Sequence, residues 1–221
     1  MLNNILTNGM PTAISVNGIP FDIYTDFRTW IQAGYLIQKI AIAKNQMEIF
    51  EELCDLVVKE YPKNYLYADD FLSALIQFYS GFPKEENDSA RKKKEKSKEN
   101  PKPPSYDFVY DAHFIYCSFA SFYNIRLQEV EYMHWWEFLV LFEGLMMSEN
   151  TSVNFVVGTR QTKIKNSMPK EEKQRIQKLQ KEFALPDTEV NKTVKNNLTN
   201  KLASMGKPKD SKLHAQEAPQ D

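Results

Sequence analysis

Apolar residues along this chain recur first at period two and then, for most of its length, at the spacing of helices. Ile14 and Val16 alternate with polar or small neighbours, Ile19, Phe21 and Ile23 alternate again, and Asn17-Gly18 stands between the two runs. That pattern predicts a β-hairpin over 13–23, because Asn-Gly readily adopts the left-handed dihedrals of a two-residue turn. Pro20 has no N–H to give to a ladder, so its strand should be an edge. From Asp26 the period becomes helical. Asp26 is placed to cap a helix whose stripe runs Phe27, Trp30, Ile31, Gly34 and on to about Ile42. Asn45 with Glu48 three residues later reads as a capping box opening a second helix, with Ile49, Phe50, Leu53, Cys54, Leu56 and Val57 on its apolar face. Tyr61-Pro62 should end it, since proline disfavours helical dihedrals in the residue before it. Leu72, Leu75, Ile76 and Tyr79 mark a third helix over 68–82, stopped by Gly81 and Pro83.

Between Glu85 and Pro104 the only apolar residue is Ala90, so nothing there could offset the entropy of ordering, and a solvated insert is expected. Beyond it, Ser105 is placed to cap a helix carrying Phe108, Ala112, Ile115, Tyr116, Phe119 and Phe122, with Asn124 as its stop. A further helix over 128–147 is apolar all round, through Val130, Met133, Trp135, Trp136, Phe138, Leu139, Leu141 and Phe142, and is expected to be the central one. Residues 151–164 read as a short helix with Phe155, Val156 and Thr159 inward. Ser167-Met168-Pro169 then opens a charged helix to about Phe183, with proline at the first helical position and Ile176, Leu179 and Phe183 as a narrow seam. The expected fold is mainly α, a bundle of about five to six helices with a small N-terminal hairpin. The expected divisions are an arm over 1–12, hairpin and helices over 13–83, a Lys-rich insert of the same domain over 84–104, an aromatic-rich helical part over 105–185 and a disordered tail over 186–221. No internal repeat is evident.

Composition adds one point to this picture. The formal net charge is −1, yet Met1 to Pro83 carries five Lys and Arg against nine Asp and Glu, and Pro103 to Thr162 carries two against seven. Lys84 to Lys102 has eight against five and Lys163 to Asp221 thirteen against eight. The aromatic-rich parts are therefore acidic and the linker and tail basic, which bears on partners and solubility rather than fold. A body of about 150 residues can fold without a staple. The two cysteines, Cys54 and Cys117, lie in helical patterns without metal-ligand spacing and read as buried free thiols. The amino terminus has neither a basic region nor a long apolar run, and no window approaches a membrane span, so a cytosolic protein is expected and Asn191 and Asn197 carry no glycosylation meaning.

Few residues suggest chemistry. Glu131 and His134 have the Glu-x-x-His spacing of carboxylate-bridged metal bundles, but such sites need a second pair, and Tyr110 stands where His113 would require glutamate. His134 and Glu137 lie one turn apart without an adjacent nucleophile, and no Gly-rich phosphate loop occurs. A non-enzymatic protein without metal or cofactor is expected. Asp111, Glu137, Glu143 and Arg160 are charged residues in apolar segments. They mark either solvent-facing stripes or a semi-buried ion pair in which Arg160 answers Glu137 or Glu143. The Lys-rich insert lacks interleaved aromatics for stacking on bases, so nucleic acid is a weak expectation. Leu198 and Leu202 hint at an amphipathic turn that could order on a partner.

The stretch Tyr106-Asp107-Phe108, Asp111, Phe119, Tyr123-Asn124-Ile125, Leu127 and Met133-His134-Trp135-Trp136-Glu137-Phe138 resembles the bacteriophage gene product fifteen family of tailed phages and prophages of Gram-positive bacteria. The resemblance continues through Leu141, Gly144-Leu145 and Arg160 to the helix around 171–183, and Thr25-Asp26-Phe27-Arg28-Thr29-Trp30 fits as well. Asn124 and Arg126 stand where the family pattern has glycine and aspartate.

What the resemblance implies is a tail-region protein of siphophages, acting in the host cell cytoplasm, whose gene position is that of tail assembly chaperones. The implied partners are the tape-measure protein and the tail-tube protein, with no membrane involved and a homo-oligomer left open. A structural tail or connector component and a nucleic-acid-binding accessory protein remain as alternatives. The candidate partner-binding or core motif comprises His134, Trp135, Trp136, Phe138, Arg160 and Trp30. Trp135 and Trp136 stand about 100° apart on a helix, so one of them could reach the surface as a docking residue, or both could pack between helix and hairpin.

Overall fold

A computed structural model of the chain describes residues 5–40, 43–61, 68–82 and 105–186. The expected insert over 84–104 and the tail beyond Pro186 lie outside the described residues. The fold is mainly helical with a small antiparallel hairpin. Its elements are α1 (Ile5–Asn8), β1 (Ala13–Val16), β2 (Ile19–Asp22), α2 (Phe27–Ile40), α3 (Gln46–Val57), α4 (Ala68–Tyr79), α5 (Ala112–Tyr123), α6 (Trp135–Met147), α7 (Ser152–Gln161) and α8 (Lys170–Glu182). Eight helices, one a single turn, thus stand among the described residues where five to six are expected.

Asn17 and Gly18 both take positive φ, 52° and 82°, and bring Ala13 opposite Asp22 and Val16 opposite Ile19. Pro20 pairs with Ser15. Ile14 and Val16 are buried against α4, and Phe21 meets Phe71 of α4 with ring centroids 4.7 Å apart. Ile19, expected inward, is 58% exposed because it sits at the turn end, beyond the helices that cover the strand.

The first helix behaves as its pattern predicts. The Asp26 carboxylate accepts the Arg28 amide at 2.9 Å, and Phe27, Trp30, Ala33, Gly34, Leu36, Ile37 and Ile40 are buried. At α3 two expectations need correcting. The Asn45 side chain donates to the Glu48 carboxylate and makes no cap with the backbone, so the capping box is not formed. The helix also ends at Val57, four residues before Tyr61. Val58 turns extended (φ −104°, ψ 130°) and bridges Ile23, so a tertiary pairing stops the helix before the proline rule applies. α4 ends at Tyr79, followed by Gly81 at φ 79°.

In the second half the structure shortens two helices. Ser105 is not at the cap of α5, and its carbonyl accepts a hydrogen bond from Arg160 Nη1. α5 begins only at Ala112, because the Asp107 carboxylate accepts the amides of Val109 and Tyr110 and curls the preceding segment into a turn. Asn124 ends α5 in the left-handed region, φ 55°, where asparagine is tolerated. α6 begins at Trp135 rather than Gln128. Arg28, reaching over from α2, donates to the carbonyls of Leu127 (2.9 Å) and Val130 (2.5 Å), which a continuous helix would have used itself. α6 is nonetheless the hub, packing on α2, α5 and α7.

α7 is capped by Thr151, whose hydroxyl accepts the Asn154 amide at 3.2 Å. Its buried residues are Val153, Val156 and Val157, so Val156 is inward as expected, while Phe155 is 54% exposed and Thr159 only partly buried. Ser118 of α5 sets that register: its hydroxyl accepts the Val153 amide at 3.0 Å. Pro169 occupies the cap position of α8, one residue before the first helical position. α8 contains no buried residue and packs on α7.

Candidate functional site

The side chains of the His-Trp-Trp segment bond to three separate parts of the backbone: Pro11, the end of α4 and the start of α6 itself. His134 is extended (φ −63°, ψ 141°) and pairs with Asp26 in an isolated bridge. Its Nδ1 accepts the Trp136 amide at 3.0 Å, which caps α6 and assigns the ring proton to Nε2. Nε2 in turn donates to the Pro11 carbonyl at 3.0 Å. Burial holds the imidazole pKa below its ordinary value, opposed by that carbonyl and by Glu137. Both ring nitrogens are thus committed, and Glu131 stands exposed in the loop before them. Among the described residues no group of three or more His, Cys, Asp and Glu could hold a metal ion.

The two indoles after His134 are both buried. Trp136 Nε1 donates to the Phe78 carbonyl and Trp135 Nε1 to the Tyr79 carbonyl, each at 2.9 Å. A helix leaves its last four carbonyls without intrahelical partners. Two adjacent tryptophans here satisfy two adjacent carbonyls at the end of α4. That is why side chains about 100° apart can both be interior: the end of α4 spans both directions. Trp135 stacks on Tyr79 (5.3 Å, 17°), and Trp136 meets Phe78 at 5.4 Å and Phe82 at 4.6 Å. Trp30, also fully buried, donates from Nε1 to the Tyr24 carbonyl at 2.6 Å. Phe138 lies between Phe27 (4.9 Å) and Phe119 (5.2 Å), stacked on both.

Arg160 takes a different partner from the ones its sequence neighbourhood suggests. Its guanidinium forks onto Asp111, with Nη1 to Oδ2 at 2.7 Å and Nη2 to Oδ1 at 2.6 Å. Glu137 and Glu143, the expected partners, are exposed on α6. Nη1 also donates to the Ser105 carbonyl (3.1 Å) and Nε to the Phe183 carbonyl (2.5 Å). One side chain therefore joins the entry to α5, the body of α7 and the end of α8. Asp111, 1% exposed, further accepts the Asp107 amide at 2.9 Å. The cysteines differ from each other. Cys54 is buried, and burial, followed by Asp55 and Glu51, pushes its thiol up to about 12. Cys117, expected to be buried, is exposed because its side of α5 looks outward beside Ser152.

The six motif residues are thus gathered into the interior, with Arg160 half-buried at its edge. Open apolar surface lies in a cleft between α2 and α5, to which Phe138 is the one motif residue that contributes. Its floor is Phe138, Ile115 and Leu127, and its walls are Ile31 of α2 and the Ala112–Tyr116 side of α5, enclosing about 410 Å³. Tyr35, one turn beyond Ile31, is half exposed, as is Tyr110 just before α5. Ile31, Ala112 and Tyr116 stand on the apolar stripes expected from the sequence, whose spacing alone does not mark them as the part left uncovered. The available signal was a surplus: α2 and α5 carry wider apolar arcs than one neighbour can bury.

Among the described residues no helix is long and apolar enough to cross a membrane. No curated protein and no solved structure matched the chain. The model of the family described as Bacteriophage Gp15 protein matches residues 6–185, a span that takes in every element from the hairpin to α8. The same His-Trp-Trp and arginine segments that build the core are within that span, and the chain belongs to the Bacteriophage Gp15 protein family.

Proposed function

We propose that this chain is a non-enzymatic tail assembly protein, a chaperone that holds a helix of the tape-measure protein while the phage tail is built. The cleft between α2 and α5 carries the reading. It is concave, apolar at its base and walled by two helices, the shape that an amphipathic helix fills with residues spaced three and four apart. Membership of a phage family supports the setting, and the choice of partner rests on the tail gene position that the resemblance implies.

Co-expression with the phage's tape-measure protein, followed by size exclusion and by analysis of mature virions, tests the proposal. A soluble complex, with no copy of this chain in virions, is expected. Ala112→Lys should abolish the complex without unfolding the chain, because Ala112 is exposed on the cleft wall. Stoichiometric presence in virions without a soluble complex would make this a structural tail component and sink the chaperone reading.

A further inference from the structure

The chain beyond Pro186 carries an apolar residue at every fourth position: Val190, Val194, Leu198 and Leu202, with Met205 three further on. Between Val190 and Leu202 the other positions are Asn, Thr and Lys alone. Four residues spaced by four drift about 40° per step on a helix and so occupy an arc of about 120°, one apolar face. Lys192, Lys195 and Lys201 give that stretch three positive charges and no negative one. The residues lining the α2–α5 cleft are apolar apart from His113 and Gln128, so the apolar face of such a helix is the part that fits there and the lysines would stay at the rim.

Placement brings the two together. Phe183, three residues before Pro186, is bonded through Arg160 to Asp111, and the next residue, Ala112, is a wall of the cleft. The turn before α5 exposes Val109 and Tyr110, an apolar approach to that wall. Four residues from Pro186 to Val190 reach at most about 14 Å. A stretch of 13 residues coiled as a helix would be about 20 Å long.

We infer that residues 190–202 of this chain occupy the α2–α5 cleft as an internal competitor, so that a partner helix must displace them. The inference rests on reading the cleft as a helix-binding site, and it adds regulation to that site. A tail that fills the cleft about 90% of the time raises the apparent Kd of a partner about tenfold.

Methyl NMR on the full-length chain tests the inference, comparing wild type with Val194→Asp/Leu198→Asp. The core of the described residues, Ile14 to Val157, forms without either residue, so the variant is expected to fold. The Ile31, Ile115 and Leu127 methyls should shift in the variant, and adding a synthetic peptide of residues 187–209 in trans should return them toward wild-type positions. Unchanged methyls at all three residues would overturn the inference. Titration with a helical tape-measure segment separates this outcome from the functional reading. Binding about tenfold tighter to the variant supports the competitor, equal affinity for both forms overturns it, and a segment that binds neither form refutes the tape-measure assignment while the methyl shifts still decide the competitor.

Discussion

Arg160→Met removes the guanidinium but keeps most of the apolar stem, and the geometry sets the size of the loss. Asp111 is 1% exposed and takes two of its three hydrogen bonds from Arg160, leaving the Asp107 amide as its remaining donor in the variant. Breaking a buried pair by removing one partner costs about 3–5 kcal/mol, because the other charge stays buried and uncompensated. The carbonyls of Ser105 and Phe183 also lose their donor, which places the expected loss toward the upper part of that range. For a chain of this size, where 1 kcal/mol moves the midpoint by about 2–4 °C, the melting temperature should fall by about 6–20 °C. Arg160→Lys keeps the charge but not the fork and should recover only part of the loss. Asp111→Asn combined with Arg160→Met should cost clearly less than the two single changes added together, since the second change removes a penalty the first creates. Calorimetry in low salt and again near 1 M salt is the assay. An enclosed pair is screened little, so the loss should persist at high salt. A loss under about 1 kcal/mol, or one that disappears in salt, would refute the account of a buried pair tying three segments together.

Acidification should destabilise the fold through His134. Its folded pKa lies below the unfolded value of about 6.5, so the stability it contributes is fully present above that pH and is lost as pH falls through the folded value. The urea midpoint of wild type should therefore fall between pH 7 and pH 5.5 more steeply than that of His134→Asn, which keeps a capping acceptor; parallel slopes would count against the assignment. Gly34→Ala should destabilise by about 1–3 kcal/mol despite alanine's better helix propensity, because an added Cβ would stand 2.7 Å from the Tyr79 ring, which is held by stacking on Trp135. Stability equal to wild type by chemical denaturation would show that Tyr79 can yield. Removing residues 187–221 should leave the fold intact with only a small shift in melting temperature, since the hydrophobic core runs from Ile14 to Val157. A large drop would mean that the tail is part of the core.

The elements legible in the sequence are those whose signals are local. Asn17-Gly18 specifies its own turn, Asp26 accepts an amide two residues away, Asn124 ends a helix by tolerating the left-handed region, and the stripes of α2, α3 and α4 follow from spacing alone. Boundaries moved wherever a distant group competed for the backbone. Val58 left α3 to pair with Ile23, and Arg28 took the Leu127 and Val130 carbonyls and so delayed α6 to Trp135. The same holds for the site. A tally of apolar segments can show that Arg160 needs an acidic partner, but it points to Glu137 or Glu143, and only when α7 is laid against α5 does Asp111 become the one within reach. The burial of Trp135 and Trp136 depends on the end of α4, more than 50 residues away, offering two carbonyls side by side. Hydrogen bonds over a few residues are written in the sequence that makes them. Those that join distant segments are decided only when packing fixes which of several equivalent donors and acceptors meet.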